Sequence, residues 1–301
     1  MLPLRVASIA LLATLSTLLH CLPLFAVALV KAVLPFERVR LACNPWLTGI
    51  AESWIAVNSA MMAHLTRTRF HAEGGADLQV DGHYLVLANH QSWVDILVLQ
   101  RVFNRRIPLL RFFLKRQLFW VPVLGLAWWA LDFPFMRRST RAEIARRPEL
   151  AGRDMAATRR ACAKFRAIPV AVMNFVEGTR YTSAKHAAQG SPYAHLLKPK
   201  SGGVAFVLEA MGDGLQSILD VTIVYPGGVP TLLDLFADRV PAVRVAVRQR
   251  PIPQELLGGG YESDRAYRVR FQAWMNALWA DKDADVARLL GDAARAAPHA
   301  A

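Results

Sequence analysis

The stretch from Val6 to Val30, VASIALLATLSTLLHCLPLFAVALV, contains no charged residue and only His20 as a candidate cation. A segment of this kind has to be buried in protein or in lipid. As a helix rising about 1.5 Å per residue it is long enough to cross a hydrocarbon core of about 30 Å. A cleaved signal peptide would carry a shorter apolar core, roughly 7–15 residues, and a small-residue cleavage site. Here the run is longer and is followed by Lys31, Arg38 and Arg40, and His20 stands before Cys21 where a lipoprotein signal would have a small residue. The run therefore predicts a retained membrane segment. Pro23 and His20 leave two forms open, a straight spanning helix and a bent segment dipping into one leaflet. More basic residues follow the run than precede it (Arg5), an asymmetry that points to a cytoplasmic location for the rest of the chain.

Composition bears on the partner. The chain is 54% hydrophobic and 20% charged, oilier than an ordinary soluble domain, and its net charge is +13. Nucleic acid and an anionic lipid surface both attract such a charge. The basic residues (Arg105, Arg106, Lys115, Arg116, Arg159 and Arg160 among them) sit between long apolar runs. Zinc-finger spacing, an RNP-like aromatic motif and a helix-turn-helix are all missing from the sequence. Beside a membrane segment, the expected partner is membrane lipid and not nucleic acid. The three cysteines are scattered and the eight histidines show no i, i+4 pairing, so neither a disulfide framework nor a metal site is expected.

Residues 44 to 70 read as an amphipathic helix with Trp46 and Trp54, and HAEGGAD marks a boundary near residue 72. Beyond it, short strand-like runs (LQV, YLVLAN, VAVMNFVEG, ILDVTIVYP) alternate with helical stretches (SWVDILVLQRVF, GGVAFVLEAM), and AVRVAVRQRPI reads as a half-exposed strand. This order predicts an α/β domain, a mostly parallel central sheet flanked by helices, preceded by the membrane-embedded helical segment. Three regions are expected: N-terminal helices over 1–71, the α/β domain over 72–285, and an Ala-rich tail over 286–301. The apolar run from Leu118 to Leu131, with Trp120, Trp128 and Trp129, is short for a span and predicts a helix facing lipid, an acyl chain or the core.

Two stretches carry candidate chemistry. In LANHQSWVDIL, Ser92 and Asp95 have capping-box spacing. The same spacing lets an aspartate on the first helical turn accept the N–H of a preceding histidine, His90, and fix its tautomer. In NFVEGTRYT, an apolar strand ends at Glu177, Gly178, Thr179 and Arg180. Ligands bind at strand ends of open parallel sheets, glycine permits close backbone approach, and an arginine fork matches phosphate oxygens. Each stretch alone also reads as an ordinary turn. Ser92 lacks a nucleophile-elbow context, which disfavours serine-hydrolase chemistry.

Together, the Asn-His-x-Ser-x-x-Asp block and the downstream Glu-Gly-Thr-Arg block resemble the glycerolipid acyltransferases, the lysophospholipid acyltransferase family that includes 1-acylglycerol-3-phosphate acyltransferase. The likeness covers roughly residues 80 to 230 and leans towards a branch of bacterial inner-membrane proteins. It implies a membrane-bound O-acyltransferase with His90 as general base and Asp95 as the acid that orients it. It implies acyl-CoA or acyl carrier protein as donor, a lysophospholipid as acceptor (lysophosphatidic acid first), and no cofactor. It implies substrate binding by Arg138, with Arg137 beside it, in DFPFMRRS, and by Glu177, Gly178, Thr179 and Arg180, the acceptor phosphate falling to Arg138 and Arg180. Lys200 in PKSGG and Pro226 in VTIVYP match further family positions. Asp132 stands where the family usually has glycine, and Met136 and Arg137 replace a common Ile-Asp pair. The alternative is a lipid-binding protein that keeps the fold without catalysis. For the oxyanion, backbone amides near the His90 turn are the candidates.

Overall fold

The computed structural model describes residues 2–34, 36–136, 146–147, 153–165 and 168–296. Arg137 and Arg138 therefore lie outside the described residues.

The chain opens with two long helices, α1 (Leu2–Val33) and α2 (Glu37–Leu65). They run antiparallel as a hairpin, with the Trp54 indole N–H donating to Thr17 Oγ1 at 3.1 Å and His20 Nε2 lying 3.2 Å from Ser53 Oγ. Helix α1 is continuous through Pro23 and is long and apolar enough to cross a membrane. Leu4, Leu11, Leu15, Leu18, Leu22 and Leu29 recur at spacings of three, four and seven along one side of it, and all are exposed. Both ends are tied to the following domain. Arg5 pairs with Asp238 at 3.0 Å, and Lys31 pairs with Asp132 at 2.6 Å.

The domain is built on six strands: β1 (Arg69–Gly74), β2 (His83–Ala88), β3 (Leu110–Phe112), and, after the short pair β4 (Leu114–Lys115) and β5 (Phe135–Met136), β6 (Val170–Phe175), β7 (Ser217–Val224) and β8 (Ala242–Arg250). The six-stranded sheet runs in the order β1-β8-β7-β2-β6-β3, and only the β7–β8 pairing is antiparallel. The expected mostly parallel α/β sheet is therefore present. Helices α3 (Val94–Phe103), α5 (Arg153–Phe165), α7 (Gly202–Met211) and α9 (Arg265–Ala296) cover it, with α4 (Leu124–Ala130), α6 (Ser183–Gln189) and α8 (Leu232–Phe236) in the connections. Strand β2 is central, and Leu85, Val86 and Leu87 are wholly buried because both faces are covered. Burying a side chain of that size contributes about 1.5–3 kcal/mol. One core lies between the sheet and α5, α7 and α9, and the other between the sheet and α3.

Strand β8 is half-exposed as expected, with Arg248 pairing with Asp285 of α9 and Arg250 with Asp281 of α9 and Asp220 of β7. Three expectations change. LQV forms no strand, and Val80 is exposed in a turn. The Ala-rich stretch from 286 continues α9 to Ala296, with Val286 and Leu289 in the core. The 118–131 run is a 3-10 turn (Arg116–Trp120) followed by α4 rather than one helix, exposing Trp120 and Trp129 while Ala127 and Ala130 pack inward.

Candidate active site

Strand β2 and helix α3 are joined by Asn89–Trp93, a turn in which nearly every polar group has a fixed partner. Asn89 is buried and reaches β7 through both ends of its amide: its Nδ2–H donates to Ile223 O at 2.9 Å and its Oδ1 accepts from Ile223 N–H at 2.8 Å. That pair of hydrogen bonds fixes where the strand ends and His90 begins. The His90 ring stacks on Phe175, at the end of β6, with centroids 3.8 Å apart.

Asp95 is fully buried and has four polar partners around it. Oδ2 accepts from the backbone N–H of Gln91 (2.6 Å) and Ser92 (2.9 Å) and lies 2.8 Å from His90 Nδ1, while Oδ1 accepts from the Tyr225 hydroxyl at 2.6 Å. In the arrangement in which Asp95 is the acceptor and the ring is neutral, Nδ1 of His90 donates to Oδ2 and Nε2 carries the lone pair. The side chain is 14% exposed, and Nε2 has no hydrogen-bond partner among the described residues. Burial beside the Asp95 charge drives the Tyr225 hydroxyl well above its ordinary range and keeps it a neutral donor.

The capping pattern coexists with this pair. Ser92 Oγ accepts from Val94 N–H at 3.1 Å and donates to Pro230 O, so the hydroxyl is buried and occupied. It has no freedom to act as a nucleophile. The oxyanion candidates also change, since the amides of His90, Gln91, Ser92 and Val94 all serve side-chain oxygens of the site.

The second stretch closes onto the first. Tyr181 N–H donates to His90 O at 2.7 Å, and His90 N–H donates to Glu177 Oε1 at 3.2 Å. Glu177 is fully buried, and its Oε2 faces Leu197 N–H at 3.4 Å. Loss of solvent is the largest influence on this carboxyl and pushes its pKa up to about 8, against the two amide hydrogen bonds, which favour the charged form. Gly178 has φ +67°, a conformation that calls for glycine, and the Lys200 side chain packs close over it, 3.0 Å from where a Cβ would stand. Lys200 is thus brought over the loop, with its backbone N–H on Val176 O at 2.8 Å. Arg180 lies over the Trp93 ring at 5.0 Å, and Thr179 Oγ1 accepts from Lys185 at 2.8 Å.

His90, Asp95, Glu177, Gly178, Thr179, Arg180 and Lys200 therefore converge, and Arg137 and Arg138 are outside the described residues. Asn89, the first residue of the Asn-His-x-Ser-x-x-Asp block, joins them, as do Phe175, Lys185 and Tyr225, which were not singled out. Tyr225 sits beside the noted Pro226, but an aromatic residue ending an apolar strand reads as core. Asp132 has φ +59°, which explains a position suited to glycine. Aspartate tolerates that conformation, and here its carboxylate also meets Lys31.

Next to the site, α1, α2, α3, β3 and α4 enclose an apolar cavity of about 200 Å³ lined by Leu24, Ile50, Leu97, Phe112, Trp128 and Phe133 among others. Phe112 is 6.1 Å from Phe175, the ring that stacks on His90. Among the described residues, no three His, Cys, Asp or Glu side chains group to hold a metal.

A family model described as Acyltransferase matches residues 69–226, just over half of the chain. The chain is 25% identical over 197 residues to 1-acyl-sn-glycerol-3-phosphate acyltransferase epsilon of Mus musculus, covering 57% of this chain and 51% of that one. It is 25% identical over 270 residues to the gamma enzyme of Homo sapiens, covering 81% and 62%. The chain spans about half the length of several curated relatives it matches. A crystal structure of the 1-acyl-sn-glycerophosphate acyltransferase PlsC from Thermotoga maritima aligns over 92% of this chain and 96% of that one, with 15% identity and a TM-score of 0.48.

Proposed function

The chain belongs to the acyltransferase family, and on that premise we propose that it moves a fatty acyl group from a thioester carrier to the hydroxyl of a lysophospholipid. The names of its relatives support lysophosphatidic acid as the first acceptor to test. The observation that carries the reading is the His90–Asp95 pair, whose saturated carboxylate leaves Nε2 as the basic nitrogen.

In this mechanism Nε2 takes the proton of the acceptor hydroxyl as its oxygen attacks the thioester carbonyl. Asp95 stabilises the imidazolium that forms. The tetrahedral intermediate collapses, the C–S bond breaks, and the proton held on His90 passes to the departing sulfur, which restores the neutral base. The products are an ester and a free thiol, with no acyl-enzyme step. Arg180 and Lys200, with Arg138 and Arg137 in the same role, hold the acceptor phosphate so that the hydroxyl reaches the carbonyl. The apolar cavity beside Phe112 receives the acyl chain.

The reading extends to location. The exposed leucine stripe on α1 suits a lipid surface, and the ion pairs at both ends of that helix support an in-plane hairpin in one leaflet. We assign the domain to the cytoplasmic side of a bacterial inner membrane, in keeping with the basic residues that follow the apolar run.

The test is thiol release by purified protein offered acyl-CoA or acyl carrier protein thioesters with a panel of lysolipids. Turnover that falls at least about 100-fold in His90→Ala is expected. No release with any pair, or full activity in His90→Ala, would overturn the reading.

A further inference from the structure

Helix α9 lies beyond the family-matched segment, which ends at residue 226, yet it supplies polar atoms to the floor of the site. Trp279 is wholly buried and donates its indole N–H to Leu197 O at 3.0 Å. The N–H of the same residue, Leu197, faces Glu177 Oε2, and Glu177 Oε1 accepts from His90 N–H. A series of hydrogen bonds thus runs from α9 through the backbone of Leu197 and the side chain of Glu177 to the backbone of His90.

One turn further along α9, Lys282 is also wholly buried. Its ammonium donates to Val221 O on β7 at 2.7 Å and lies 3.5 Å from Leu87 O on β2, three residues before His90. It pairs with Asp220, whose second oxygen is held by Arg250 at 2.9 Å. A buried ammonium is expensive to desolvate, and an apolar side chain would fill this space at lower cost. What lysine adds is a charge and fixed contacts to the two strands that end at the catalytic turn. That charge acts on Glu177 in the direction opposite to burial.

We infer that Trp279 and Lys282 are positioning residues for the acyl-transfer site, acting through Glu177 and the end of β2 to hold His90 in place. The inference rests on the reading of His90 as the base.

The experiment uses the full-length protein in detergent, well below the melting temperature of each variant. Trp279→Phe keeps a ring and removes the N–H, while Lys282→Met keeps the length and removes the charge. Amide exchange at His90 and Leu197 is followed without substrate, and kcat and KM are measured with palmitoyl-CoA and lysophosphatidic acid. In Trp279→Phe, exchange at both amides accelerates at least about tenfold, and kcat falls about tenfold while both KM values stay within about twofold. Combining it with Glu177→Gln adds little to the Glu177→Gln loss, because both changes break the same series. Lys282→Met gives the same kcat-specific loss, and it decides the matter if Trp279→Phe does not fold. Wild-type kcat in the folded variants, unchanged exchange, or losses that add in full would overturn the inference. If the wild type turns over no donor at all, the acyl-transfer reading fails, and the exchange rates still decide whether α9 holds the turn.

Discussion

The Tyr225 hydroxyl donates to Oδ1 of Asp95 at 2.6 Å, joining the end of β7 to the first turn of α3. It fills the one carboxylate oxygen that the local turn leaves unserved. In Tyr225→Phe that buried oxygen loses its partner, which costs about 1–3 kcal/mol of stability. The orienting pair survives, so turnover should fall only several-fold, far less than in His90→Ala. Denaturation midpoints and kcat measured side by side check both halves.

Glu177 makes stability depend on pH. Its carboxyl ionises at about 8 in the folded chain, above its ordinary value of 4.5, so the native state holds a proton that the unfolded state has lost. Its contribution is full below about pH 4.5, declines as pH rises, and is gone above about pH 8. Glu177→Gln should flatten this part of the stability profile. Urea denaturation of both proteins across pH 5 to 9 measures it.

Lys31 and Asp132 give a prediction about backbone strain. Asp132→Gly removes a partly exposed ion pair but relieves a left-handed residue, two effects of similar size, about 0.5–1 kcal/mol each. Asp132→Ala removes the pair and keeps the strain. The glycine variant should therefore melt close to wild type and the alanine variant several degrees lower.

Gln100, on α3, borders both the 200 Å³ cavity and a second one of about 70 Å³, and Trp54, Trp128 and Leu131 border both as well. Gln100→Ala should join the two and shift donor preference towards longer chains. Competition among myristoyl, palmitoyl and stearoyl thioesters tests this. An unchanged order would mean that the chain lies elsewhere.

Much of this site was legible in the sequence because its central elements are local. A five-residue spacing across a strand-to-helix turn puts His90 on Asp95, and a strand end followed by glycine puts Glu177 to Arg180 in one loop. The parallel sheet was legible for a similar reason, since buried strands read as continuous apolar runs between helices. Tyr225, Trp279 and Lys282 were not, because they act across the fold from elements more than a hundred residues away. A tyrosine or tryptophan in an apolar context carries no mark that separates a hydrogen-bonding partner from packing. Lys282, in a stretch of alternating charges, reads as a solvated helix face. The same limit hid the partners of β8, whose Arg248 and Arg250 pair with acidic side chains on α9 and β7.

The ion pairs at Arg5 and Lys31 also give the opening segment a second meaning. The two residues are about 39 Å apart along α1 at the helical rise, and both are clasped by aspartates of the α/β domain. An uncharged run whose length reads as a bilayer's thickness is thus equally a strut cut to the separation of Asp238 and Asp132. Lengthening it by one helical turn would break one of the two clasps.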